Sequence, residues 1–171
     1  KTDPAILKMF YMAGKQQKLP FATYMQQLNI VPVAISYEFD PGDEAKAREL
    51  VERAQSGSYE KGEFEDIDSI VAGIVGHKGR VHVSLGKPLT GDYDTPEELA
   101  AAIDLAIHGQ YRLFPSNLLA AGQSDGVSSE ERQRFEARLQ AMPEELRATA
   151  RAMYAKPVEN RAECVAEMVD A

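Results

Sequence analysis

The apolar positions follow two periods. The clearer one is helical: Ile67, Ile70, Val71, Ile74 and Val75 recur at i, i+3, i+4, i+7 and i+8, one stripe of a helix closed by Gly79. Glu63, Glu65, Asp66 and Asp68 crowd its start, and His77 and Lys78 stand at its end. That distribution complements the helix macrodipole, at about 0.3–1 kcal/mol per well-placed charge. Ile6, Leu7, Phe10 and Tyr11 repeat at helical spacing over 4–14. There Asp3 caps, Pro4 fills the first turn and Gly14 is the expected stop. A short helix over 21–28 follows Pro20. Further helices are predicted over 44–55, with Ala45, Leu50 and Val51 inward, and over 96–108 between Thr95 and Gly109. Three more fall at 130–141, 144–154 and 158–169.

The second period is two. Over 80–85, Val81, Val83 and Leu85 share one face of a strand, and Arg80, His82 and Ser84 share the other. Residues 29–37 (NIVPVAISY) form a compact apolar run, read as a strand buried on both faces. Pro32 removes a ladder donor there and predicts a bulge or a position facing something other than a paired strand. Asp40-Pro41-Gly42-Asp43 is a turn, residues 56–62 a loop, and 122–129 a polar linker. The fold class is therefore α/β, with few strands and flanking helices over 1–121, followed by a helical extension over 122–171.

Two strands are too few for one buried on both faces, which needs neighbours beside it and layers above and below. The expectation is that the remaining strands come from outside this chain, by oligomerisation or from a removed upstream portion. The start at Lys1, directly before a helix cap, raises the same expectation.

Composition narrows the class. Apolar residues make up 44% and charged residues 27% of 171, an ordinary globular mix. The formal net charge of −8 argues against nucleic acid as a partner, because no excess of Lys and Arg exists to neutralise phosphates. Cys164 is the lone cysteine, which excludes an intramolecular disulfide and a cysteine-based zinc site. It reads as buried and inert. No run approaches the roughly 20 apolar residues that span a bilayer. A soluble protein, cytoplasmic or peripheral on the inner face of the cytoplasmic membrane, is expected.

Candidate chemistry is sparse. His77 and His108 end helices, where the macrodipole favours a cation, and His82 lies on the polar face of its strand. No pair has the H-E-x-x-H spacing of a zinc site, and Asp40 and Asp43 lack the alternating ligands of a calcium loop. Gly73, Gly76 and Gly79 lie in and after the C-terminal half of a helix, the wrong place for a phosphate-binding loop. There is no G-x-S-x-G elbow. The residues alone therefore assign no catalytic group, no metal and no cofactor.

Several segments, in order, resemble the glycerol-phosphate and lysophosphatidate acyltransferases, in a bacterial branch of the family. IVPVAISYEFDP (30–41) is similar to the family's I-V-P-V strand, and RVHVSLGKPL (80–89) to the following strand with its G-x-P-L turn. KTDPAILKMFY (1–11) looks like the helix after the family's phosphate loop, and YRLFPSNLLAAG (111–122) and MYAKPVEN (153–160) resemble tail elements. The resemblance implies an incomplete α/β acyltransferase domain whose partners are acyl-CoA or acyl carrier protein and a lysophospholipid-type acceptor. It implies substrate-binding positions at Ile30, Val31, Pro32 and Val33, with Lys8 as a cation towards a phosphate. The family's base is the histidine of H-x-x-x-x-D. Five residues after His77, His82 and His108 stand His82, Lys87 and Leu113, so no catalytic residue carries over and the chain alone is expected to be inactive. The alternative is a non-catalytic lipid-binding or interaction module built on that fold. A homo-oligomer and peripheral membrane contact fit either one.

Overall fold

A computed structural model describes residues 1–169. The order is α1 (Pro4–Gln16), α2 (Phe21–Gln27), β1 (Val33–Tyr37), α3 (Asp43–Ser56), α4 (Glu65–Val75), β2 (Val81–Leu85), α5 (Pro96–Gln110), α6 (Pro115–Ala120), α7 (Ser129–Gln140) and α8 (Glu144–Val169). Helix dominates, and β1 and β2 form a two-stranded sheet. Its register follows from Glu38 N–H donating to Arg80 C=O and Gly86 N–H to Pro32 C=O, an antiparallel pairing. The described chain divides into two compact units, 1–35 with 83–111 and 161–169, and 36–82 with 112–160.

In the first unit α1 packs on α2 and α5. Leu7, Phe21, Met25, Leu99 and Ala100 are its buried core, with Tyr11, Tyr24, Ile30 and Ile103 against them. Asp3 caps α1 by accepting from Ala5 N–H, and Thr95 and Glu98 form a reciprocal capping box on α5. Gly14 does not stop α1, which runs on to Gln16. A Cβ at Gly14 would lie 2.5 Å from Tyr24 Cγ and 2.8 Å from Tyr11 Cδ2, so this glycine admits a close approach of two aromatic rings.

The second unit is built on Phe39, Ala47, Leu119, Phe135, Leu139, Met142, Leu146, Ala150 and Tyr154, all buried. Phe135 meets Tyr154 edge-on at 5.3 Å, and Ser128 and Glu131 box the start of α7. In α3 Ala47 is buried and the expected Val51 packs half-buried against the core, whereas the expected Ala45 and Leu50 are exposed. The break expected between 154 and 158 does not occur. α8 runs through Pro157, which forfeits one helical hydrogen bond without ending the helix.

The largest departure concerns which faces are buried. Residues 29–37 are not a strand buried on both faces: β1 begins only at Val33, and Val33 and Ile35 are exposed while Ala34 and Ser36 are buried. Pro32 lies ahead of the strand, buried, its C=O accepting from Gly86 N–H. On β2 the exposed positions are Val81, Val83 and Leu85, and His82 and Ser84 are the half-buried ones. The ribbon thus packs its small and polar face and presents its apolar one. α4 likewise has no buried residue, and Ile67, Ile70, Val71, Ile74 and Val75 are all exposed.

Candidate functional site

The expected substrate-binding positions run along the approach to β1. Ile30 is half-buried against the first unit's core, and its C=O accepts from Leu89 N–H at 2.9 Å. Val31 and Val33 are exposed, and Pro32 between them is buried. The G-K-P-L turn thus returns directly alongside the I-V-P-V segment, held by the two bonds Gly86 to Pro32 and Leu89 to Ile30. Ser84 Oγ donates to Gln110 Oε1 at 3.1 Å, which ties the small face of the ribbon to the last turn of α5. Val31, Val33, Ile35, Val83 and Leu85 remain as an open apolar surface on the other face.

Lys8 is elsewhere on the first unit. It projects from α1 and donates to Glu97 Oε1 at 2.8 Å across to α5, an exposed pair that lowers the Glu97 carboxyl. No hydrogen bond or ion pair among the described residues joins it to residues 30–33.

The histidines form no catalytic pair. His77 is exposed beyond the end of α4, its ring stacked 5.7 Å from Phe39. His108 lies in the last turn of α5, where the dipole favours it. Among the described residues none of the three imidazoles hydrogen-bonds a carboxylate, and no cluster of three His, Cys, Asp or Glu could hold a metal ion. Cys164 is buried, its Sγ 3.5 Å from Leu105 C=O.

Sequence reasoning missed two ion-pair centres in the second unit. Glu38, read only as part of the strand segment, is buried. It accepts from Arg80 N–H at 2.9 Å, Arg80 Nε at 3.0 Å and Arg80 Nη2 at 2.9 Å. Burial opposes its charge, but these bonds outweigh it and hold the carboxyl below its ordinary range. Arg80 also donates to Glu131 at 2.9 Å and lies over the Phe114 ring.

Asp43, read as part of the turn at 40–43, is the centre of the other. Arg138 donates to it through Nε at 2.6 Å and Nη2 at 3.0 Å, and Tyr154 Oη donates to it at 2.6 Å. Arg138 Nη2 also donates to Asp40 C=O at 2.7 Å, and Tyr154 Oη accepts from Asp40 N–H at 3.0 Å. Burial and the bond to Asp43 push the Tyr154 phenol well above its ordinary value, so it is a neutral donor at any working pH. The one sequence signal for either centre was a charged residue directly after an apolar run, and its partners lie far along the chain.

A cleft of about 630 Å3 opens between α3 and α4. Its lysines are already engaged: Lys46 with Asp40, Lys61 with Asp66, and Lys78 with the carbonyls of Ile74 and Gly76. With Glu44, Glu49, Glu65 and Asp68 also on its walls, it offers no uncompensated cation to a phosphate.

Comparison with known protein families, with characterised proteins and with solved structures gave no match for this chain. Among the described residues no helix is long and apolar enough to cross a membrane.

Proposed function

We propose that the chain is part of an acyltransferase that moves a fatty acyl group from acyl-CoA or acyl carrier protein to a hydroxyl of a glycerol-phosphate lipid. One observation carries this: the two segments with the strongest resemblance, 30–41 and 80–89, are hydrogen-bonded neighbours in a ribbon left open on its apolar face. Such a face and unpaired outer edges belong to a sheet that continues. Ile30, Val31, Pro32 and Val33 then border an acyl-chain or acceptor pocket completed by the added strands. Lys8 is a weaker member of that set, because Glu97 already neutralises it.

Acyl transfer needs a base that takes the acceptor's proton as its oxygen attacks the thioester carbonyl, with the thiol leaving. Among the described residues no histidine has the orienting carboxylate that such a base requires. The base therefore comes from an H-x-x-x-x-D segment outside these residues, and the chain alone is inactive. The exposed apolar surface also favours a second reading, a non-catalytic module that binds a lipid or a protein.

The test is an acyl-transfer assay with acyl-CoA and lysophosphatidate, on the 171-residue chain alone and joined to any coding sequence upstream of Lys1. Activity only in the joined form supports the acyltransferase. Activity in the chain alone places the base on His77, His82 or His108 and refutes a base outside these residues. Inactivity in both favours the binding module.

A further inference from the structure

We propose that the outward face of α1 is a docking surface for an anionic lipid bilayer. Ile6, Met9, Phe10 and Ala13 share a helix face by their spacing of three and four, and Met12 lies beside it. Ile6 is 50% exposed, Phe10 56%, Met12 63% and Met9 67%, while Leu7 and Gly14 on the opposite side are buried against the first unit's core. A single exposed apolar residue on a soluble protein means little, but four large ones between Ile6 and Met12 form an apolar strip about 9 Å long along the helix axis.

Charge decides what covers it. Residues 1–28 hold four lysines against Asp3 alone, in a chain whose formal net charge is −8. Of these lysines only Lys8 is paired with a carboxylate among the described residues. Lys15 lies over the Tyr11 ring, and Lys18 follows directly beyond the helix end. The long aliphatic stem of Lys15 lets it lie along the apolar strip while its head reaches lipid phosphates. Two methionines and a phenylalanine adapt to the irregular packing of acyl chains. Basic flanks beside a Met-, Phe- and Ile-bearing strip are the chemistry of a helix lying in the membrane interface.

The other exposed apolar surfaces do not share it. The α4 stripe is built from stiff β-branched residues, with Glu65, Asp66 and Asp68 in its first turn, which an anionic surface repels. The ribbon presents unpaired strand edges, whose backbone groups call for another polypeptide strand. The proposal stands whether or not the chain is part of an acyltransferase, and it would bring such an enzyme to a lipid acceptor.

The experiment is co-sedimentation of the whole chain with vesicles of phosphatidylcholine, with and without phosphatidylglycerol, over a range of salt. Binding is expected to the phosphatidylglycerol vesicles, falling as salt rises. Met9→Ser and Phe10→Ser should each weaken it by about tenfold, from the loss of one buried large side chain. Lys15→Gln and Lys18→Gln should each weaken it about fivefold, on the anionic vesicles alone. Ile70→Ser on α4 should leave it unchanged, and unchanged helicity by circular dichroism keeps every variant interpretable. Absent binding, equal binding to both vesicles, or loss in Ile70→Ser with retention in Phe10→Ser overturns the proposal. So does a Phe10→Ser variant that loses self-association while no vesicle binding exists, which would assign the face to a protein contact.

Discussion

Arg138→Met tests whether the Asp43 centre is as buried as its geometry implies. The Asp43 side chain is 5% exposed and Arg138 22%. Removing the guanidinium leaves the carboxylate with only the Tyr154 hydroxyl and the Glu44 N–H as donors. Breaking a buried pair from one side costs about 3–5 kcal/mol, and the partial exposure of Arg138 places this case near about 3 kcal/mol. Tyr154→Phe keeps the pair but removes one donor to Asp43 and one acceptor for Asp40 N–H, worth about 1–3 kcal/mol. Asp43→Asn removes the charge itself. Adding Arg138→Met to it should then cost about 1 kcal/mol or less, a coupling near 2 kcal/mol. Urea unfolding at neutral pH, followed by circular dichroism, measures all four variants. A cost below about 1 kcal/mol for Arg138→Met, or additive single effects, would mean that water reaches Asp43 and would refute the reasoning.

Glu38→Gln should cost about 1–2 kcal/mol, a modest figure because Arg80 is half exposed and screened by solvent. Since the folded carboxyl lies below the ordinary 4.5, the native contribution is complete above that pH and lost as pH falls through the lowered value. The variant's acid unfolding curve should lack that component, and an unchanged curve would exclude the ion pair as its source. Gly14→Ala should destabilise by about 1–3 kcal/mol through the clash with Tyr24 and Tyr11, against a helix-propensity gain of about 1. A net rise in melting temperature would show that the rings can move aside. Ile35→Lys should reduce concentration-dependent association in sedimentation velocity without loss of helicity, since Ile35 is 48% exposed on the open ribbon. Equal association of variant and native chain would count against the ribbon as a contact surface.

Periodicity located the elements well and their buried faces poorly, for a physical reason. A period of 3.6 over 67–75 or of two over 81–85 says that two faces differ, not which one meets the core. Hydrophobicity alone would assign burial to the apolar face. Here Ala34 and Ser36 take the inner face of β1, where both are buried and Ser36 Oγ accepts from Arg112 N–H at 2.9 Å. The same holds in α3, where the small Ala47 is inward and Leu50 is not. Local signals fared better: Asp3 and Thr95 cap the helices that follow them, because a cap depends only on residues within one turn.

The candidate site was legible only in part, and the division follows sequence separation. The pairing of 30–33 with 86–89 could be anticipated from two β-rich segments in order. The Asp43 centre unites residues 95 and 111 positions apart, and no local pattern encodes such a meeting. Charge adds what periodicity lacks. Three exposed apolar surfaces look alike by hydropathy, yet α1 lies in a basic stretch, α4 begins with three acids, and the ribbon ends in open backbone edges. A bilayer, a neutral or basic protein face and another strand are the respective complements, because each cancels the charge or the unpaired group that burial would otherwise isolate.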